Sequence, residues 1–116
     1  TNDYDIVLGV YLPENFDSWT TGSAITIDYE GTTDASFNAD VYERGNGNAL
    51  KNNASKSGTG LGTFSQYVIS AGTALTGLVA GDYLFISIKV TVTDVATEDT
   101  SIMRLGEISL NYNRLN

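Results

Sequence analysis

The chain has 116 residues with no cysteine or histidine, and 14 acidic against 6 basic residues give it a net charge of −8. Its length suits one domain, and the missing residue types exclude disulfides, thiolate metal sites and histidine-based catalysis. The acidic composition, without a cluster of Lys or Arg, argues against nucleic acid and anionic membranes as partners. Because no run of 18 apolar residues occurs, the sequence predicts no membrane-spanning helix.

The alternation of apolar and polar residues predicts β-strands rather than helices. In the first strand Tyr4, Ile6, Leu8 and Val10 share one face, and Pro13 ends the strand. The strands that this pattern predicts cover residues 3–12, 24–30, 36–43, 64–69, 84–93 and 101–113. Several short strands separated by turn residues are typical of a sandwich or barrel. We therefore expect one all-β domain over residues 1–116, an antiparallel two-sheet β-sandwich of jelly-roll type.

Parts of the chain depart from this alternation. Residues 45–62 are rich in Gly, Asn and Ser, so they are predicted to form the longest loop. Residues 73–79 fit either a short strand or one helical turn, and the pattern does not decide between the two. In the last strand the parity of the apolar side chains changes at Gly106, which predicts a β-bulge there.

Parity within the strands also predicts which side chains form the core. The predicted core residues are Ile6, Leu8, Val10, Ile25, Ile27, Phe37, Val41, Leu84, Ile86, Ile88, Val90, Ile108 and Leu110. Each lies on the more apolar face of its strand, so a register slip of one residue would expose it.

The sequence contains no recognisable catalytic motif, neither a Gly-x-Ser-x-Gly elbow nor a phosphate-binding glycine loop. Asp28 and Glu30 share a strand face and are the pair that could act in glycoside hydrolysis. Two acids at alternate positions of a strand more often form its solvated face, and this is the interpretation we adopt. We therefore expect no enzymatic activity, no catalytic residue and no cofactor.

Oxygen ligands for calcium are present in the predicted turns. Asp94, Glu98 and Asp99 share one turn, while Asp34 and Asp40 flank a strand. Acids at such positions are ordinary turn formers, and no EF-hand spacing occurs. The sequence therefore predicts no metal site.

The aromatic residues provide the candidate contact surfaces. Most of them fall at core positions, but Tyr83 and Phe85 fall on the face opposite the apolar face of their strand. They are either covered by a second layer or exposed for contact with a partner. Trp19 follows a turn and is placed to cap the end of the sandwich. We favour packing of its side chain in the core over exposure to solvent. Tyr83, Phe85 and Trp19 are the candidate interface residues, and exposed aromatic residues would also suit a carbohydrate surface.

Several short motifs follow one another along the sequence. Tyr11-Leu12-Pro13 precedes the aromatic pair Phe16 and Trp19, Gly81-Asp82 opens a long late strand, and LGEISLNY follows over residues 105–112. The order of these motifs resembles that of β-sandwich domains in structural proteins of tailed phages and environmental viruses. Domains of this kind are capsid-associated, decoration or fibre components. The resemblance implies a particle component and transfers no catalytic residue.

Two functions are therefore expected from the sequence. The first is a non-enzymatic structural protein of a virus particle, located in the virion, that binds to itself and to other particle proteins. The alternative is a carbohydrate-binding module, calcium-assisted or not, outside the cell or at its surface. A third possibility, a bacterial or archaeal surface-layer or filament subunit, differs from the first mainly in the organism that makes it. A sandwich fold alone does not separate these functions.

Overall fold

The computed structural model describes residues 2–43, 49–71, 75, 77–93 and 100–115, and for residues 2, 43 and 49–54 it describes the backbone alone. Within these residues the chain forms nine strands and no helix. The strands are β1 (Asn2–Tyr11), β2 (Phe16–Trp19), β3 (Ile25–Gly31), β4 (Ala35–Glu43), β5 (Ala49–Ser57), β6 (Gly60–Ile69), β7 (Tyr83–Val92), β8 (Met103–Leu110) and β9 (Tyr112–Arg114). Each predicted strand is present; β2 and β5 are additional, and the last predicted strand is divided at Asn111.

The strands form two main sheets and a short ribbon, all antiparallel. Sheet I has the order β1-β7-β4-β5, sheet II has the order β6-β3-β8, and β2 pairs with β9. The chain passes repeatedly from one main sheet to the other, as in jelly-roll sandwiches. The predicted all-β, antiparallel two-sheet sandwich is confirmed, with strands divided four, three and two rather than the eight of a regular jelly roll.

The core lies between the inward faces of sheets I and II. Eight of the predicted core residues are buried there: Ile25, Ile27, Phe37, Val41, Leu84, Ile86, Ile88 and Val90. Val10, Ile108 and Leu110 are partly buried and pack against this cluster. The alternation in β3, β4 and β7 therefore identifies the inward faces of the central strands.

The prediction that Ile6 and Leu8 are core residues is wrong, because their side chains are 40% and 38% exposed. Both lie on the inward face of sheet I, directly opposite the buried residues Ile88 and Ile86 of β7. However, β1 is the outermost strand of sheet I, and sheet II does not cover it. Alternation assigns a residue to a face, whereas cover from the opposite sheet decides whether that face is buried.

The predicted loop over residues 45–62 is also wrong in its central part. Residues 49–57 form β5, which pairs with β4, and β6 begins at Gly60. β5 is an edge strand with a register shift between Phe37 and Ala39 of its partner. Its backbone pairs although its sequence is polar, because ladder hydrogen bonds do not require apolar side chains. Residues 44–48 lie outside the described residues.

The predicted bulge at Gly106 is confirmed. The register between β3 and β8 shifts by one residue, so Gly106 and Glu107 together lie opposite Asp28. A β-carbon on Gly106 would stand 3.2 Å from the ring of Phe64 and 3.3 Å from the β-carbon of Asp28. Glycine at this position therefore allows Phe64 to lie close over β8.

The part of residues 73–79 that the structure describes contains neither strand nor helix. Its N–H groups bond in turns, from Leu75 to the carbonyl of Ala71 at 2.9 Å and from Leu78 to the carbonyl of Leu75 at 3.3 Å. Leu75 and Leu78 are both buried in the core. This segment therefore contributes two core side chains without regular secondary structure.

Candidate functional site

β1 is an edge strand whose outer side has no neighbouring strand among the described residues. It pairs with β7 in a continuous register, from Asn2 opposite Val92 to Tyr11 opposite Tyr83. Its sequence contains no Pro, Lys or Arg, and these residues are among the features that prevent an edge strand from pairing with another chain. The backbone groups along this edge are therefore open to a further strand.

The other strand edges in the described part of the sandwich are interrupted or short. The pairing of β5 with β4, of β6 with β3 and of β8 with β3 each contains a register shift. β2 and β9 are only four and three residues long. Because bulges and short strands limit pairing with other chains, β1 is the edge best formed for strand addition.

β1 also carries much of the exposed apolar surface. Of the ten large hydrophobic side chains exposed in the described residues, five lie on this strand: Tyr4, Ile6, Val7, Leu8 and Tyr11. The even-numbered ones belong to the inward face of sheet I and the odd-numbered ones to its outward face. Exposed apolar side chains concentrated on both faces of one open edge strand are typical of an interaction surface.

A groove of about 380 Å³ lies beside the inward face of β1. It is lined by Tyr4 and Ile6 of β1, by Val90 and Val92 of β7, and by residues 101–103 at the entry to β8. Since this lining is mainly apolar, the groove is suited to aliphatic or aromatic side chains.

The predicted interface residues Tyr83 and Phe85 lie on the outward face of sheet I, where both are partly buried. Their rings contact each other edge to face with centroids 4.9 Å apart, and Tyr83 contacts Tyr11 in the same manner at 4.4 Å. The ring of Tyr83 also lies over Gly9, where a β-carbon would overlap it. The fold therefore brings both predicted residues into one aromatic cluster with β1, beside its open edge.

Trp19, the third predicted interface residue, lies in the core and is 8% exposed. Its ring contacts Phe16 edge to face at 5.0 Å, and its indole N–H donates a 2.8 Å hydrogen bond to the carbonyl of Leu75. Beside it is a depression of about 350 Å³, lined in part by the hydroxyl residues Ser18 and Thr20. Trp19 thus packs in the core, as the sequence favoured, and leaves little ring surface for a partner.

The assignment of Glu30 to a solvated strand face is wrong, because the residue is 7% exposed. Residues 61–64 of β6 leave the ladder opposite Glu30, and the N–H of Gly62 donates a 2.7 Å hydrogen bond to its carboxylate. The guanidinium of Arg104 donates a second bond at 2.9 Å. The bond from Arg104, followed by that from Gly62, holds the pKa of Glu30 below its ordinary value.

The contacts of Glu30 disfavour Asp28 and Glu30 as the catalytic pair of a glycoside hydrolase. A general acid in glycoside hydrolysis needs a raised pKa, whereas Arg104 lowers the pKa of Glu30. Asp28 is partly exposed, and its carboxylate lies 3.5 Å from the side-chain amide of Gln66. The geometry therefore suits Glu30 to a structural role, in which it joins β3 to β6 and β8.

Asp34, one of the acids considered for calcium, is held by hydrogen bonds within the chain. Its carboxylate accepts bonds from the hydroxyl of Ser101 at 2.6 Å and from that of Thr32 at 2.5 Å, which hold the pKa of Asp34 below its ordinary value. The described residues contain no cluster of three or more potential metal ligands. Asp94, Glu98 and Asp99 of the predicted acidic turn lie outside the described residues.

Sequence reasoning placed Ile6 and Leu8 of β1 in the core and so missed them as surface residues. A signal was nevertheless present in the sequence. Val7 and Tyr11 place apolar side chains on the face of β1 that Asp3 and Asp5 make polar at its beginning. A strand that is apolar on both faces is either covered by two layers or covered by a partner.

Comparison of the chain with protein-family models, with curated proteins and with solved structures finds no match. The described residues include no helix long and apolar enough to cross a membrane.

Proposed function

We propose that this chain is a non-enzymatic structural module of a virus particle, capsid-associated or of decoration or fibre type, that self-associates and docks to other particle proteins. The observation that carries the proposal is β1, an uninterrupted edge strand with five exposed hydrophobic side chains. Open strand edges pair with strands of other chains. Burial of the apolar side chains in such a contact contributes further free energy.

The distribution of charge supports the same proposal. The net charge of −8 favours solubility of the free chain, yet residues 6–11 of β1 carry no charge. Interface cores are depleted in charged residues and enriched in aromatic ones, and Tyr11, the last residue of this segment, packs against Tyr83. The particle context comes from the resemblance of the sequence motifs to those of phage structural domains.

The alternative, a carbohydrate-binding module, depends on aromatic rings that are exposed to a sugar. The rings of Phe16 and Trp19 at the end of the sandwich are buried, which disfavours stacking there. Tyr11 is exposed and lies in contact with Tyr83. A sugar bound by aromatic stacking would therefore be expected at the same outward cluster.

The solution mass of the purified chain, measured over a range of concentrations by analytical ultracentrifugation, tests the proposal. We expect a discrete oligomer in the presence of a chelator. A chain that stays monomeric and binds members of an immobilised glycan panel would support the alternative instead. Turnover of a polysaccharide that is lost in a folded Asp28→Asn, Glu30→Gln double variant would overturn the non-enzymatic assignment.

A further inference from the structure

We propose that the partner of β1 is β1 of a second copy of this chain, paired antiparallel about a two-fold axis at Val7. The inference rests on the proposed self-association, and it names the surface and the register through which that association occurs. The two copies of sheet I then form one continuous eight-stranded sheet, in the order β5-β4-β7-β1-β1-β7-β4-β5.

The direction of the hydrogen bonds shows which backbone groups are open. At the end of β1 the N–H of Leu12 donates to the carbonyl of Asp82, which continues the pairing with β7. Across β7, the N–H of Thr93 donates to the carbonyl of Asp34, which continues the pairing with β4. Because bonding direction alternates along antiparallel strands, even-numbered residues of β1 bond to β7. The odd-numbered residues 3–11 therefore direct their N–H and C=O groups to the open edge.

The charges of β1 favour antiparallel pairing with itself. Asp3 and Asp5 are the charged residues of this strand, and both lie in its first half. A parallel pair in register would place each Asp beside its copy, and like charges directly opposite are destabilising. An antiparallel pair centred on Val7 instead places Asp3 opposite Tyr11 and Asp5 opposite Gly9 of the second copy.

The open groups and the strand length also select this register. A pair centred on Val7 sets odd-numbered residues opposite odd-numbered ones, so their open N–H and C=O groups bond to each other. A slip of one residue would set odd opposite even and would misalign the faces of the two strands. A pair centred on Ile6 keeps the parity but leaves the exposed ring of Tyr11 outside the ladder.

Pairing at Val7 covers exposed apolar side chains on both faces of the sheet. On the inward face Ile6 lies opposite Leu8 of the second copy. Tyr4 lies opposite Val10 of the second copy, at the groove that Tyr4 and Ile6 line. On the outward face the two Val7 side chains meet at the axis, and residues directly opposite on antiparallel strands are close enough to contact.

The first test compares glutamate at two equally exposed valines. Val7 is 61% exposed and Val79, in the turn before β7, is 60% exposed, so neither substitution reaches the core. In Val7→Glu two carboxylates would face each other at the axis, close to Asp5. We expect at least about a tenfold weaker dimer by sedimentation, with Val79→Glu dimerising as the parent chain does.

The second test uses cysteine, which the chain otherwise lacks. In a hydrogen-bonded antiparallel pair the Cα atoms and the Cβ atoms both lie about 5.5 Å apart, which is wider than the Cβ spacing of a disulfide but is spanned by a short bismaleimide. Val7→Cys is therefore expected to form a covalent dimer with this reagent, seen by denaturing electrophoresis. Val79→Cys, with the same exposure but away from the axis, is expected to remain uncrosslinked.

The outcomes separate this pairing from the broader proposal. An oligomer whose mass is unchanged by Val7→Glu, and that Val7→Cys does not crosslink, would overturn the pairing while self-association through another surface stands. A chain that is monomeric even at millimolar concentration would overturn both. If circular dichroism shows that Val7→Glu does not fold, the crosslinking result alone decides.

Discussion

The backbone of Gly58 lies directly against the carbonyl group of Gly31, and its N–H donates a 2.9 Å hydrogen bond to the carbonyl of Ala35. The contact joins the end of β5 to the connection between β3 and β4. A β-carbon on Gly58 would overlap the backbone of Gly31 and of Thr32. We expect Gly58→Ala to lower the free energy of unfolding by about 1–3 kcal/mol, because backbone rather than a flexible side chain would have to move.

Denaturant unfolding of Gly58→Ala, measured beside Gly77→Ala, checks this prediction. A β-carbon added at Gly77 has no neighbour within 4 Å, so that variant should keep the stability of the parent chain or gain slightly from a stiffer unfolded chain. Equal stability of the two variants would contradict the close approach at Gly58.

The ion pair between Glu30 and Arg104 should make the free energy of unfolding depend on pH in the acidic range. Hydrogen bonds from Arg104 and Gly62 hold the pKa of Glu30 below its ordinary value of 4.5. Their contribution is therefore complete above that pH and is lost as the pH falls through the lowered folded-state pKa. We expect Glu30→Gln to be less stable than the parent chain at neutral pH, with a difference that narrows in acid.

Thermal unfolding followed from neutral to acidic pH measures this difference. Glu14→Gln, the same substitution at an exposed turn position, serves as the control and should follow the parent chain throughout. If the difference in unfolding temperature between Glu30→Gln and the parent chain does not change with pH, titration of the Glu30 carboxylate does not contribute to stability.

The buried hydrogen bond of Trp19 gives a prediction for the end of the sandwich. Trp19→Phe keeps an aromatic ring against Phe16 but removes the N–H that bonds to the carbonyl of Leu75. Leaving a buried carbonyl without this donor should cost about 1–3 kcal/mol of unfolding free energy. Equilibrium denaturation followed by circular dichroism measures the loss, and a variant as stable as the parent chain would show that the bond contributes nothing.

If the chain self-associates as proposed, replacement of both Tyr83 and Phe85 by Ser should weaken that association while the monomer stays folded. Both rings lie on the outward face of sheet I, and Tyr83 packs against Tyr11 next to the open edge of β1. Loss of the Tyr83 ring removes the contact that supports the exposed side chain of Tyr11 on β1. Sedimentation measures the oligomer affinity of the double variant beside that of Phe64→Ser, which removes an exposed aromatic ring from sheet II. An equal loss of affinity in the two variants would contradict a specific role of Tyr83 and Phe85 in self-association.

The parts of the fold that sequence predicted correctly depend on neighbouring residues along one strand. Ile86 and Ile88 are buried because every second residue of a strand between two others faces the same sheet. The bulge at Gly106 is visible for the same reason, since one extra residue inverts the parity of all that follow.

The parts that sequence did not predict depend on which strands become neighbours. Ile6 and Leu8 have the alternation of core residues, yet they lie on an edge strand beyond the cover of sheet II. Glu30 has the pattern of a solvated acid, yet the irregular start of β6 and Arg104 enclose it. For the candidate site, parity identified Tyr83 and Phe85 as outward, but only the strand order places them next to an open edge.

The interrupted register of β5 limits how far a shared sheet can grow. In two copies joined through β1, both β1 edges are used, and the strands left at the two ends are β5. Each end then carries the register shift between Phe37 and Ala39 and the lysines Lys51 and Lys56 of the β5 sequence, features that discourage further pairing. Growth through this sheet would therefore close at two copies instead of polymerising. A larger shell or fibre would have to be built from such pairs through other faces of the sandwich.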